Sequence, residues 1–102
     1  MGIKKQYLKS KPVCKVTFRL PAEAANGAKK VTVVGDFNDW DKNATKMKKL
    51  KSGEFKAIVE LEPGREYEYR YFVDDKEWEN DWDADKYVPT PYGEGDNSVV
   101  VV

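Results

Sequence analysis

The chain has 102 residues, with 18 Lys or Arg against 18 Asp or Glu, no histidine and one cysteine. That length supports one domain around a single core, without a second lobe to enclose an active site. The balanced charge gives no global pull toward nucleic acid or anionic lipid. The missing histidine removes Ser-His-Asp and Cys-His arrangements and histidine-ligated zinc.

Residues 1–11, MGIKKQYLKSK, are basic and carry neither turn nor core signals, so they are expected to form a mobile solvated arm, with residues 12–102 as the domain. No apolar segment of signal-peptide or membrane-spanning length follows. Gln6 stands where a myristoylation pattern on Gly2 needs Ser or Thr. A soluble cytoplasmic protein is expected, and Met1 with its arm points to a full-length chain. Alternation begins at Cys14: Cys14, Val16, Phe18 and Leu20 fall on one face, with Lys15, Thr17 and Arg19 on the other, which predicts a half-buried strand. Cys14 reads as a small buried apolar residue. As the single cysteine it excludes an internal disulfide and suits a reducing compartment.

Pro21 to Lys30 is a linker with a turn at Asn26-Gly27 and room for a short helical turn. Val31 to Val34 is a strand ended by Gly35-Asp36. A polar, Lys-rich stretch from Asp39 to Ser52 leads through Ser52-Gly53 to Phe55, Ala57, Val59 and Leu61, again on one face. After Pro63-Gly64, Tyr67, Tyr69, Tyr71 and Val73 share one side of a strand and Glu68, Arg70 and Phe72 the other. Asp74-Asp75 then turns the chain toward Trp78. Glu79 to Asp96 has little periodicity and many turn residues, and Asn97 to Val102 closes the chain as a β-branched strand. Six or seven short strands with frequent turns predict an all-β fold, an antiparallel β-sandwich, with a small barrel as the alternative. The chain is expected to be a monomer, with dimerisation through the terminal strand if that strand is an unpaired edge.

Without histidine, catalysis would rest on carboxylates or Lys. The segment Asp74 to Asp85 holds seven carboxylates and one Lys. Two of them flanking a glycosidic bond would make a hydrolase, but a single small domain offers no deep cleft, and no enzyme is expected. Asp81, Asp83 and Asp85 imitate the start of a calcium loop, yet Lys86 replaces the required Gly and Tyr92 the required Glu, so no such site is expected. Trp40 and Trp78 each close a β-branched or aromatic run at a polar turn, which places two indoles at a surface in the manner of a sugar-binding platform.

The blocks VTVVGDFNDW, EFKAIVELEPGREYEYRYFVDDKEW and GEGDNSVVVV, in that order across residues 13–102, resemble the isoamylase N-terminal or early-set domains of the α-amylase superfamily. They also resemble the glycogen-binding domain of the AMP-activated protein kinase β subunit, of carbohydrate-binding module family forty-eight. The resemblance implies an immunoglobulin-like early-set β-sandwich that binds α-1,4-glucans such as glycogen or starch without cleaving them or using a cofactor. It implies an amylolytic or regulatory protein as a further partner. Carried over by residue, Trp40 and Trp78 match the two stacking indoles, Arg70 the hydrogen-bonding cation, and Asn97 the sugar-binding Asn, with Asp96 competing for that place. Tyr92 falls where the kinase subunit inserts an apolar residue into the glucan ring, and Trp82 is an additional indole in a loop of different length. A sandwich of this type commonly buries one Trp, so each of the three also has a structural reading. The competing function is a protein-interaction or scaffold module of the same fold whose glucan site is lost or weak.

Overall fold

A computed structural model of the chain describes residues 3–90 and 95–102. The described residues form two antiparallel sheets packed face to face as a β-sandwich. The first sheet contains β1 (Lys4–Tyr7), β2 (Cys14–Leu20), β4 (Lys48–Lys49) and β5 (Phe55–Leu61), in the order β1-β2-β5-β4. The second contains β3 (Val31–Gly35), β6 (Glu66–Val73), β9 (Asp96–Val101) and β8 (Lys86–Pro89), in the order β3-β6-β9-β8, with β7 (Glu77–Glu79) paired to the far end of β6. A single helical turn, α1 (Ala22–Ala25), joins β2 to β3 and ends at Asn26 and Gly27, both in the left-handed region. No helix among the described residues is long and apolar enough to cross a membrane.

Period-two patterning selects the buried face of each long strand. Val16, Phe18 and Leu20 of β2 and Phe55 of β5 meet Val31 and Val33 of β3, Tyr69 and Tyr71 of β6, and Val100 of β9. Phe18 packs edge-on against Tyr69, with ring centroids 4.8 Å apart. Cys14 is buried in this core as a free thiol.

Three tyrosines bring hydroxyls into the interior, and each needs a partner. Tyr67 donates to the Glu62 carbonyl at 3.2 Å and accepts from the Glu62 N–H at 3.1 Å. Tyr69 and Tyr71 both donate to Asp81 Oδ2, at 2.7 and 3.1 Å. Burial, followed by the neighbouring phenol for Tyr69 and the Asp81 charge for Tyr71, pushes both far above the ordinary tyrosine value. Asp81 is itself only 2% exposed. Its N–H donates to Ser98 Oγ at 2.9 Å, its Oδ1 accepts from the Asp83 N–H at 2.9 Å, and its carbonyl accepts from the Tyr87 hydroxyl. An acidic stretch is thereby sewn to the sandwich at its centre.

Two expectations change. The basic segment read as an arm contains β1, whose register runs from Lys4 opposite Thr17 to Tyr7 opposite Cys14. As a mostly exposed edge strand it has no apolar face to advertise it. The terminal strand, offered as a possible edge for dimerisation, is interior to its sheet: β9 pairs with β6 on one side and β8 on the other. A route to dimers through that strand has no free edge to use. The covering strand, Lys86–Pro89, lies within the stretch whose many turn residues mask its pairing.

Candidate functional site

The tyrosines of β6 turn inward, so alternation sends Glu68, Arg70 and Phe72 to the outer face of the second sheet. On that face Phe72 lies opposite Trp78 across the β6–β7 pair. Their rings sit 4.5 Å apart at 36°. Trp78 keeps 41% of its surface exposed. Lys42 Nζ lies over both rings, 5.2 Å from the Phe72 centroid and 5.7 Å from that of Trp78. The hairpin that delivers Trp78 turns through Asp74 and Asp75, both at positive φ. It closes with the Lys76 N–H on the Val73 carbonyl at 3.0 Å. The Asp74 carboxylate accepts the N–H groups of Lys29 and Lys30 at 2.8 and 2.9 Å. Those bonds, with that of Lys30 dominant, lower its pKa.

Trp40 reaches the same face from the turn after β3. Gly35 is extended, so it is not the backbone angle that demands glycine here. A Cβ at this position would lie 2.4 Å from the Glu68 carbonyl oxygen, and the close crossing over β6 admits no side chain. A 3-10 turn, Asp36–Asn38, follows. The Asn38 carboxamide accepts from the Gly35 N–H and donates to the Val33 carbonyl and Thr45 Oγ1, each at 3.0 Å. Asp39 and Trp40 both sit at φ +57°. For a residue as bulky as Trp this backbone costs about 1–3 kcal/mol and persists only where its surroundings impose it. Here the Trp40 N–H is tied to the Gly35 carbonyl at 2.9 Å, and its indole Nε1 donates to Asp36 Oδ1 at 2.9 Å. The other oxygen, Asp36 Oδ2, accepts the Glu68 N–H at 2.8 Å. One carboxylate thus clamps the indole to strand β6.

Arg70 donates from Nε and Nη2 to the Asp96 carbonyl, at 3.0 and 2.6 Å. The same oxygen accepts from Asn80 Nδ2 at 2.8 Å, and Asn80 Oδ1 accepts from Ser98 Oγ at 2.8 Å. The guanidinium is therefore linked through Asn80 and Ser98 to the buried Asp81. Gly95, at φ +98°, leaves room for it, because a Cβ there would stand 3.2 Å from Nη2. Asn97 is 5% exposed, and its Nδ2 donates to Glu68 Oε1 at 3.0 Å.

These residues line an open groove of about 820 Å³, walled by Trp40 and Trp78, floored by Arg70, Glu68 and Asn97, and bounded on the far side by Val88, Pro89 and Thr90. Of the six residues singled out in the sequence, four meet here: Trp40, Arg70, Trp78 and Asn97. Between Asp96 and Asn97, the second lines the groove, while the first contributes its backbone carbonyl to Arg70. Trp82 is 53% exposed but does not line the groove. Tyr92 lies outside the described residues. Asp36, Glu68 and Lys42 were not foreseen. Glu68 shares the outward face that alternation assigns to Arg70, and Asp36 precedes Trp40 by one helical turn, so both left a signal. Lys42 left none.

Chemically, the groove offers two flat rings, two cations, and carboxylate and carboxamide oxygens. This suits a ligand with apolar faces and a rim of hydroxyls. The three aspartates that imitate a calcium loop are dispersed: Asp81 is buried on the tyrosines, and Asp85 bonds Lys5 Nζ and the Val101 N–H, each at 2.7 Å. Among the described residues no three metal-ligating side chains converge.

Compared with known protein families, residues 16–102 match the model of the glycogen recognition site of AMP-activated protein kinase. A search of curated proteins gives no match. The family match spans most of the chain, and the chain belongs to this family of carbohydrate-binding modules.

Proposed function

We propose that this member of the glycogen-recognition family binds α-1,4-linked glucan in the groove on its second sheet and does not cleave it. The observation that carries the reading is the convergence of Trp40, Trp78, Arg70 and Asn97 on one open groove in a chain of that family. Glucose rings have an apolar face of C–H groups, which stacks on the two indoles, and a hydroxyl rim, which meets Arg70 as donor and Asn97 and Glu68 as acceptors. None of these contacts needs a group that changes ionisation near neutral pH. Two stacked rings contribute about 1–2 kcal/mol each. After the cost of association this gives roughly millimolar to micromolar affinity. Tyr92 joins the set on the resemblance alone. Held on a polymer in this way, the module serves to keep an amylolytic or regulatory protein near its substrate, several modules together compensating for weak individual binding.

The test is a titration with a seven-glucose cyclic α-glucan read by Trp fluorescence, beside Trp40→Ala and Trp78→Ala with folding followed by circular dichroism. Saturable quenching that both folded variants lose supports the reading. A folded wild type that fails to respond at millimolar ligand sinks it and leaves the protein-interaction reading in its place.

A further inference from the structure

The outer face of the first sheet, on the opposite side of the sandwich from the groove, has a different character. Strand pairing sets Arg19 opposite Lys56 and Lys56 opposite Lys48, so three cations stand in one row across β2, β5 and β4. Neighbouring strands lie about 4.8 Å apart, and like charges directly opposite one another destabilise a sheet. Compensation within the chain is slight. Arg19 reaches Glu54 at only 3.9 Å. Lys48 and Lys56 have no ion-pair partner among the described residues, and neither do Lys4 and Lys15 on the same face. One step along the face, Ile58 is 56% exposed, opposite Thr17, which in turn faces Lys4. The face therefore combines a repulsive cation row, retained at a cost to stability, with an exposed aliphatic side chain beside it.

We propose that this face docks an acidic helix of a partner protein, with carboxylates along one side meeting Arg19, Lys56 and Lys48 and an apolar residue of the helix covering Ile58. The step between the cations is close to the roughly 5–6 Å between side chains at i and i+4 on a helix. Charge complementarity removes the repulsion that the isolated sheet carries. A polyanionic chain fits less well. It draws affinity from many phosphates, whereas this row is three residues wide and the face also carries Glu60, opposite Lys15. Because the groove and this face lie on opposite sides, one domain can hold a glucan and a protein together. The docking face does not depend on the groove reading.

The probe is a synthetic helical peptide with Glu at i, i+4 and i+8 and Leu beside that stripe, compared with a scrambled peptide of the same composition, against the isotope-labelled full chain at low salt. The patterned peptide is expected to shift the amides of Arg19, Lys48, Lys56 and Ile58 saturably and to bind about tenfold tighter than the scrambled one. Lys56→Glu is expected to abolish those shifts and yet raise Tm, because a carboxylate between Arg19 and Lys48 turns two repulsions into attractions. A role confined to stability predicts no such opposition. Equal binding of the scrambled peptide, tighter binding of duplex RNA or anionic vesicles, no binding at low salt, or a lowered Tm for Lys56→Glu would each overturn the proposal. The cyclic-glucan titration on Lys56→Glu separates the two faces: unchanged glucan binding is expected, and a loss of it would contradict their independence.

Discussion

Replacing Asp36 by Ala should weaken glucan binding by releasing the Trp40 indole that it holds. Its two oxygens hold the Trp40 indole N–H at 2.9 Å and the Glu68 backbone N–H at 2.8 Å. Hydrogen bonds to a charged group contribute about 1.5–3 kcal/mol when shielded. Asp36 is exposed, so a stability loss of about 1–2 kcal/mol is the reasonable scale, or roughly 4–16 °C in Tm for a domain of this size. The binding effect has a separate origin. Once released, the indole must be ordered by the ligand, at about 0.5–1.5 kcal/mol for one immobilised side chain, which is roughly a twofold to tenfold loss of affinity. Asp36→Asn retains one acceptor oxygen and should fall between. The assay is calorimetric titration with maltoheptaose on wild type, Asp36→Ala, Trp40→Ala and the double variant. If Asp36 acts by holding the indole, its substitution has little further effect once Trp40 is gone. An equal affinity loss in both backgrounds would refute the clamp.

Gly35→Ala places a Cβ 2.4 Å from a backbone oxygen, which no side-chain movement relieves, so it should destabilise the fold by about 3 kcal/mol or more in urea titrations despite its extended backbone. Asp81→Ala strands the Tyr69 hydroxyl in the interior and leaves that of Tyr71 only the Arg19 carbonyl at 3.3 Å, and should cost about 1–3 kcal/mol, with Asp81→Asn milder because an acceptor remains. Asp74 has a lowered pKa in the folded state, so its stabilising effect is complete above the unfolded value of about 3.9 and is lost as pH falls through the folded value. The stability difference between wild type and Asp74→Ala should accordingly hold steady from neutral pH to about pH 5 and shrink below about pH 4, as chemical denaturation at stepped pH would show.

The parts of the fold that were legible in the sequence are those where burial dictates residue type. Cys14 to Leu20 and Phe55 to Leu61 alternate because one face of each must be apolar, and the same rule separated Tyr67, Tyr69 and Tyr71 from Glu68 and Arg70. Strands without a buried face gave no such signal, which is why β1 and β8 were hidden. The interior position of β9 depends on pairing between distant segments, and its own Val-rich composition suits an edge and a centre equally well. Asp81 illustrates a second limit. Within a run of acids it imitates the start of a calcium loop, and only the fold brings it to two phenols ten and twelve residues away. At the site, Trp40 and Trp78 are legible from the runs they close and Arg70 and Asn97 through the resemblance, whereas their supports, Asp36 clamping the indole and Asn80 sharing the Asp96 carbonyl with Arg70, act through hydrogen-bond geometry that residue type alone does not reveal. Trp82 shows the converse, an aromatic residue in the right segment that the Asp81 turn carries away from the groove.

The central claim is that the groove holds the glucan between two particular indoles. The three tryptophans give three indole N–H resonances in the isotope-labelled chain, and maltoheptaose can be titrated against all of them at once. A glucan held between Trp40 and Trp78 should give saturable shifts of those two indoles with Trp82 nearly unmoved. Shifts confined to Trp82, or none in any indole at millimolar ligand, would contradict it.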